Sequence, residues 1–205
     1  MLPDVCYAFL EKDVHLLNMQ NGLADNTVSA VYKDKEGFVW FGTRNGLSRY
    51  DGRRITNFEI SSSYPSISNL KEVFDGVLAF VDNGVFSAFD LKKERFLSVV
   101  SSSGQGIPSR GMLQKNDSLV WVISGSELHL MKRCASKEGE LRLRVEEKYT
   151  GWDNQDNLLV AITYSSDKKS ICLIDEKGRI ILLDATNLSF FRVIDLGRTG
   201  SLLSL

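Results

Sequence analysis

The chain has 205 residues, of which 43% are hydrophobic and 25% are charged, and this composition is typical of a globular protein and excludes general disorder. Lysine and arginine together number 25 and aspartate and glutamate 26, so the formal net charge of −1 argues against nucleic acid as a partner. No run approaches the roughly 18 apolar residues of a membrane-spanning helix, and the first residues show no signal peptide, so no direct membrane insertion is expected.

The predicted elements begin with an N-terminal strand within residues 1–21, followed by a clear hairpin in residues 37–51. Residues 38–43 form a nearly continuous apolar run. Asn45 and Gly46 supply the positive φ angles of a hairpin turn, and residues 47–50 return as the partner strand. Further strand-like runs precede and follow this hairpin, which predicts a unit of four antiparallel strands.

The same pattern recurs three more times without gaps, in residues 76–90, 118–132 and 170–184. Four antiparallel strands repeating every ~40–50 residues are typical of the blades of a β-propeller. An irregular β-sandwich is the alternative, but a sandwich does not predict gapless self-similarity. The chain is therefore predicted to be all-β, a single partial propeller domain over residues 1–205 with blades at residues 22–60, 66–100, 108–149 and 157–196.

In the last strand of the third unit, residues 141–148, apolar residues alternate with arginines over residues 141–145, and three charged residues follow. This alternation predicts an exposed outermost strand whose charges protect it from pairing with another strand edge.

The text of residues 21–52, NGLADNTVSAVYKDKEGFVWFGTRNGLSRYDG, resembles the two-component regulator propeller repeat. The shared pattern is a Gly-Leu start, a polar turn at Asp34 and Gly37, and W-x-G-T-x-x-G-L-x-R-Y-D-G, which begins at Trp40. The resemblance covers roughly residues 15–60, and the later units keep only the rhythm. The resemblance implies a periplasmic sensor domain that senses carbohydrate. Such a domain is part of a hybrid two-component histidine kinase that is anchored in the inner membrane. No kinase module is visible in this chain.

The motif residues are expected to have structural roles. Aromatic side chains of the motif would fill the space between blades, one glycine would permit close backbone approach, and others would serve turns. The residues concerned are Trp40, Gly42, Gly46, Leu47, Tyr50 and Asp51.

The resemblance implies a seven-bladed ring, which at ~42 residues per blade needs more chain than four blades supply. Four blades would then form a partial ring with apolar faces on its first and last blades, since repeats stabilise one another through their neighbours. We expect such an arc to self-associate, to pair with missing blades of a parent propeller, or to close as a small ring.

Loops at one end of the ring are the expected place for a ligand, which the resemblance suggests is an oligosaccharide. An aromatic face beside amides and carboxylates suits a sugar, whose CH face stacks while its hydroxyls need donors and acceptors. The predicted ligand-binding residues are Tyr64, Trp152, Asn154, Arg44 and Asn45.

No catalytic residue, cofactor or metal is expected. His15 and His129 lack further ligands at metal-binding spacing and are expected to be structural. Cys6, Cys134 and Cys172 form no paired motif, and Cys134 and Cys172 are expected to be small buried hydrophobic residues. A non-catalytic sensor is therefore the favoured function. A protein-interaction propeller and a remnant of a propeller carbohydrate-active enzyme are the alternatives.

Overall fold

The computed structural model describes residues 16–62, 64–150 and 157–195. Within them, a single turn of 3-10 helix at Met19–Asn21 precedes sixteen β-strands. No helix in these ranges is long and apolar enough to span a membrane. The strands are β1 (Val28–Lys33), β2 (Val39–Thr43), β3 (Gly46–Tyr50), β4 (Ile55–Phe58), β5 (Ile67–Phe74), β6 (Val77–Asp82), β7 (Val85–Asp90), β8 (Arg95–Ser101), β9 (Gly111–Asn116), β10 (Leu119–Ser124), β11 (Glu127–Cys134), β12 (Glu140–Tyr149), β13 (Leu159–Tyr164), β14 (Ser170–Asp175), β15 (Arg179–Asp184) and β16 (Phe190–Asp195).

Each set of four consecutive strands forms an antiparallel meander. These meanders are blade 1 (β1–β4), blade 2 (β5–β8), blade 3 (β9–β12) and blade 4 (β13–β16). The two middle strands of every blade are the hairpin that recurs in the sequence. The predicted all-β propeller architecture of four-stranded blades is therefore confirmed.

Three hydrophobic clusters occupy the spaces between consecutive blades, between blades 1 and 2, 2 and 3, and 3 and 4. The second strand of an inner blade contributes to a cluster on each of its faces. In β6, Ala79 belongs to the cluster shared with blade 3, and Leu78 and Phe80 belong to the cluster shared with blade 1. This two-sided burial explains why these strands read as continuous apolar runs and do not alternate.

The prediction that residues 141–148 form an edge protected by charge is wrong for the first part of the strand. Residues 140–143 of β12 pair in parallel with residues 98–101 of β8, which joins blades 2 and 3 into one eight-stranded sheet. Leu141 and Leu143 are buried in the cluster between those blades. The alternating charges occupy only one face of β12, and they leave its backbone edge free to pair with β8.

The inner strands lie against one another in the order β1, β5, β9, β13. No comparable contact returns from blade 4 to blade 1 among the described residues, so these four blades form an open arc and not a closed four-bladed ring. Most of the predicted N-terminal strand lies outside the described residues. Its described end, residues 16–21, is extended chain followed by the 3-10 turn, not a strand.

Candidate ligand-binding groove between blades 1 and 2

Blade 1 is organised around the buried Asp34 in the β1–β2 turn. Its Oδ1 accepts hydrogen bonds from the backbone N–H groups of Glu36 (3.0 Å) and Phe38 (2.9 Å), and its Oδ2 accepts one from the Trp40 indole (2.8 Å). Trp40 is 1% exposed and packs against Phe58 of its own blade and Phe89 of blade 2. One carboxylate thus sets the turn and orients the indole that fills the space between blades.

Two glycines of the motif are required for different structural reasons. A Cβ on Gly42 would lie 2.9 Å from the Cβ of Ile67 in blade 2, so this position needs a residue without a side chain for the blades to approach. Gly46 has a φ of 110°, and a side chain there would also collide with the Phe58 carbonyl. The expected roles of both glycines follow from these contacts.

The remaining motif residues behave less uniformly. Leu47 is fully buried in the cluster between blades 1 and 2, and Asp51 caps the β3–β4 turn by accepting the backbone N–H groups of Arg54 (2.6 Å) and Arg53 (2.7 Å). Those bonds hold the pKa of the Asp51 carboxyl below its ordinary value. Tyr50 does not lie in the space between blades 1 and 2, because its side chain is on the opposite face of β3, where its hydroxyl donates to the Gly52 carbonyl (2.8 Å). That its ring fills a space between blades on that face stays a prediction.

Arg49 takes the place next to the aromatic cluster instead. Its guanidinium lies 4.9 Å from the Phe38 ring centre and 5.6 Å from those of Trp40 and Phe58, and it forms a 2.6 Å ion pair with Glu94 of blade 2. The motif arginine is therefore a bridge between blades.

A groove of about 760 Å³ opens at the end of blade 1 where the β2–β3 turn, the end of β4 and the loop into blade 2 meet. The segment preceding β1 closes its remaining side. The groove is lined by Met19, Gly22, Leu23, Ala24, Arg44, Asn45, Asn57, Glu59, Ile60, Ser62, Tyr64 and Pro65.

Amide side chains hold one wall of this groove in place. Asn45 Nδ2 donates to the Ala24 carbonyl (3.1 Å), and Asn57 Nδ2 donates to the Gly22 carbonyl (2.9 Å). Ser48 Oγ accepts the Ala24 N–H (3.1 Å) and donates to Asn57 Oδ1 (2.7 Å). These bonds fix residues 22–24 against the hairpin, so the wall is shaped by blade 1 itself.

Two charged side chains line the groove without an ion pair to any described residue. Arg44 is exposed at the β2–β3 turn, and Glu59 is exposed just after β4. Neither takes part in a side-chain hydrogen bond within the described ranges, in contrast to Arg49 and Glu94 nearby. The groove thus presents a free cation and a free carboxylate to solvent.

Tyr64 forms the aromatic edge of the groove. It is 90% exposed and has a φ of 57°, although an L-residue in the left-handed region costs roughly 1–2 kcal/mol. Pro65 beside it is buried, and Asn83 Nδ2 donates to the Tyr64 carbonyl (3.3 Å), so the backbone is held while the ring projects outward.

The structure brings together three of the five residues predicted to bind ligand: Arg44, Asn45 and Tyr64. Trp152 and Asn154 lie outside the described residues. Sequence reasoning missed Asn57 and Glu59, because their position depends on the pairing of β3 with β4 and on the path of the chain into blade 2. No local pattern around either residue marks it as part of a site.

The histidine and cysteines described show no second site. His129 shares a 2.6 Å hydrogen bond with Glu127, and Cys134 and Cys172 are free and partly buried, with burial raising the pKa of the Cys172 thiol. No group of three or more His, Cys, Asp or Glu side chains in the described part of the chain could hold a metal ion.

The repeated four-stranded blades, packed face to face through apolar clusters, define the chain as a β-propeller protein. Residues 22–45, which contain one wall and the central turn of the groove, match the family model described as Two component regulator propeller. The match confirms the resemblance of the first blade. No curated protein sequence matches the chain.

Solved structures share this fold. The extracellular domain of the putative one component system BT4673 from B. thetaiotaomicron superposes with a TM-score of 0.64 at 15% identity, over 88% of this chain and 27% of that one. The extracellular domain of the putative hybrid two component system BT3049 from the same organism superposes with a TM-score of 0.62 at 17% identity, over 89% of this chain and 26% of that one. The WD40 beta propeller domain of Doa1 superposes with a TM-score of 0.58 at 15% identity, over 83% of this chain and 54% of that one. The chain therefore spans about a quarter of the length of the first two.

Proposed function

We propose that this chain is part of a periplasmic ligand-sensing propeller of a two-component regulator, and that the groove between blades 1 and 2 binds an oligosaccharide. The family match over residues 22–45 and the likeness to two extracellular sensor-system domains support the assignment to signalling. In this proposal the chain senses the ligand, and a kinase elsewhere in the system responds.

The observation that carries the proposal is the composition of the groove. An exposed aromatic ring at Tyr64, a free guanidinium at Arg44 and a free carboxylate at Glu59 surround about 760 Å³ of open space. A sugar residue offers a CH face for the ring and hydroxyls for the charged groups. The groove is also large enough for more than one monosaccharide, because small-molecule pockets of ~300–1,000 Å³ hold drug-sized ligands.

Binding without catalysis fits the same residues. Glycoside hydrolysis by the usual mechanism needs a pair of carboxyl groups on either side of the scissile bond. Glu59 is the only acidic residue among the described residues that line the groove. We therefore propose a receptor for the intact ligand and not an enzyme that cleaves it.

Replacing Tyr64 with glycine tests the proposal. Because Tyr64 has a φ of 57°, Tyr64→Gly removes the ring and relieves backbone strain, so the melting temperature should stay the same or rise slightly. Affinity for an oligosaccharide found by thermal-shift screening should fall about tenfold as measured by titration calorimetry.

Lys168→Gly is the matched control. Lys168 also has a φ of 57°, but it lies in the β13–β14 turn of blade 4, so the same backbone change should leave affinity unchanged. Equal affinities of wild type and Tyr64→Gly would contradict the assignment of the groove. Release of shortened products from the bound oligosaccharide would instead favour the propeller-enzyme alternative.

A further inference from the structure

We infer that the groove between blades 1 and 2 is selective for an acidic oligosaccharide, one whose sugar residue carries a carboxylate or a sulfate. This inference deepens the proposed function and depends on it. It assigns Arg44 as the residue that determines specificity and Tyr64 as the ring on which the same sugar residue stacks.

The first argument is the hydrogen bonding of the neutral polar side chains in the groove. The NH₂ groups of Asn45 and Asn57 are bound to backbone carbonyls of residues 24 and 22, and the Ser62 hydroxyl donates to Asp82 (2.9 Å). The amide donors that the sequence suggests for sugar hydroxyls therefore support the groove wall. Each of these amides therefore has only one N–H left for a ligand.

The second argument is that the groove also offers a charged donor. Arg44 has no acceptor among the described residues, and it lies in the tight turn between β2 and β3, whose backbone is fixed by Thr43. The Thr43 hydroxyl donates to the Gly46 carbonyl (3.0 Å) and accepts the Asn45 N–H (3.2 Å). A guanidinium on a rigid turn presents a planar fork of donors that matches the geometry of a carboxylate or sulfate.

The third argument is the opposite charge on Glu59. A carboxylate accepts from sugar hydroxyls but repels a ligand that is anionic throughout its length. The groove therefore suits a ligand with its negative charge at the Arg44 side and free hydroxyls at the Glu59 side. Tyr64, held outward by its backbone, provides the face for the ring of the acidic sugar.

Matched ligands test the inference on the whole chain. Titration calorimetry would compare a xylotriose that carries a single glucuronate branch with its carboxyl-reduced neutral product, and a κ-neocarrabiose monosulfate with its desulfated product. We expect at least one acidic ligand to bind about tenfold more tightly than its neutral counterpart, and the pair that shows the difference identifies carboxylate or sulfate as the anion. Raising the salt concentration should reduce that difference, because the Arg44 contact lies at the solvent-exposed rim.

Variants assign the effect to a residue. Arg44→Gln should abolish the preference for the acidic ligand, whereas Arg53→Gln removes the same charge at the β3–β4 turn, away from the groove, and should leave the preference intact. Glu59→Gln should raise acidic-ligand affinity by about threefold, since it removes a repulsive charge and keeps an acceptor.

The outcomes separate this inference from the proposed function. Equal or tighter binding of the neutral counterparts overturns the acidic preference but leaves oligosaccharide sensing in place, and so does a preference that survives Arg44→Gln. Failure of all four ligands to bind overturns the acidic preference, and failure of every oligosaccharide in the thermal-shift screen overturns both.

Discussion

At the scale of the residue, the buried Asp34 links the β1–β2 turn of blade 1 to the space between blades 1 and 2. It satisfies two backbone donors of the β1–β2 turn and the buried Trp40 indole at once. A buried donor left without a partner costs about 1–3 kcal/mol, so removal of this carboxylate affects both the turn and the space between blades.

We therefore predict that Asp34→Ala lowers the free energy of unfolding by about 2–4 kcal/mol, measured by urea denaturation. Asp51→Ala, which removes only exposed turn bonds, should cost less. In a Trp40→Phe background the cost of Asp34→Ala should shrink, because the indole N–H is already absent. Identical costs for Asp34→Ala and Asp51→Ala would show that the Trp40 bond contributes nothing.

At the scale of the element, stability depends on how closely neighbouring blades approach. Gly42 of β2 faces Ile67 of β5 with no room for a Cβ, and Arg49 bridges to Glu94. Blades 2 and 3 are joined further by the β8–β12 pairing. The blades therefore stabilise one another through shared apolar clusters, as repeat units do.

Gly42→Ala should destabilise the protein by about 1–3 kcal/mol, because the new methyl group overlaps Ile67. The double variant Gly42→Ala/Ile67→Ala should be more stable than the sum of the single effects predicts, and urea denaturation measures this coupling. Gly106→Ala is the control, since its Cβ would meet only Val85 at 3.8 Å. Additive effects of the two substitutions would contradict the close approach of blades 1 and 2.

At the scale of the whole molecule, the described blades form an arc with an unpartnered face at each end. Along β1, Ala30 and Tyr32 pack towards blade 2, so Val31, which is 61% exposed, lies on the opposite face beside Phe41. In blade 4, Leu182 likewise alternates with the buried Ile181 and Leu183. Both faces therefore carry apolar side chains that are exposed or half-buried.

We expect the chain to self-associate through these faces, with a sedimentation coefficient that rises with protein concentration. Val31→Glu should weaken the association, because it places a charge in the apolar face of blade 1. Val85→Glu changes a 42% exposed valine in blade 2 and should not. A wild-type chain that stays monomeric at all concentrations would rule out pairing with a second copy.

The sequence alone determined the hairpins, the four-stranded unit and its repetition. These features depend on local signals, namely apolar runs, Asn-Gly turns and glycines at positions where φ is positive. Arg44, Asn45 and Tyr64 could be selected in advance because they lie in a turn and in a link between predicted blades, where propeller loops meet. The architecture therefore required no knowledge of distant contacts.

Only the tertiary structure decided the rest. The β8–β12 pairing joins strands that are far apart in the chain. The alternating charges of β12 predicted a free edge, but side chains on one face of a strand do not determine whether its backbone edge is paired. The amides of Asn45 and Asn57 support the groove wall because cross-strand register places them beside the carbonyls of residues 24 and 22. A side chain's residue type shows what bonds it can form, but which of them it does form depends on neighbours that only the fold supplies.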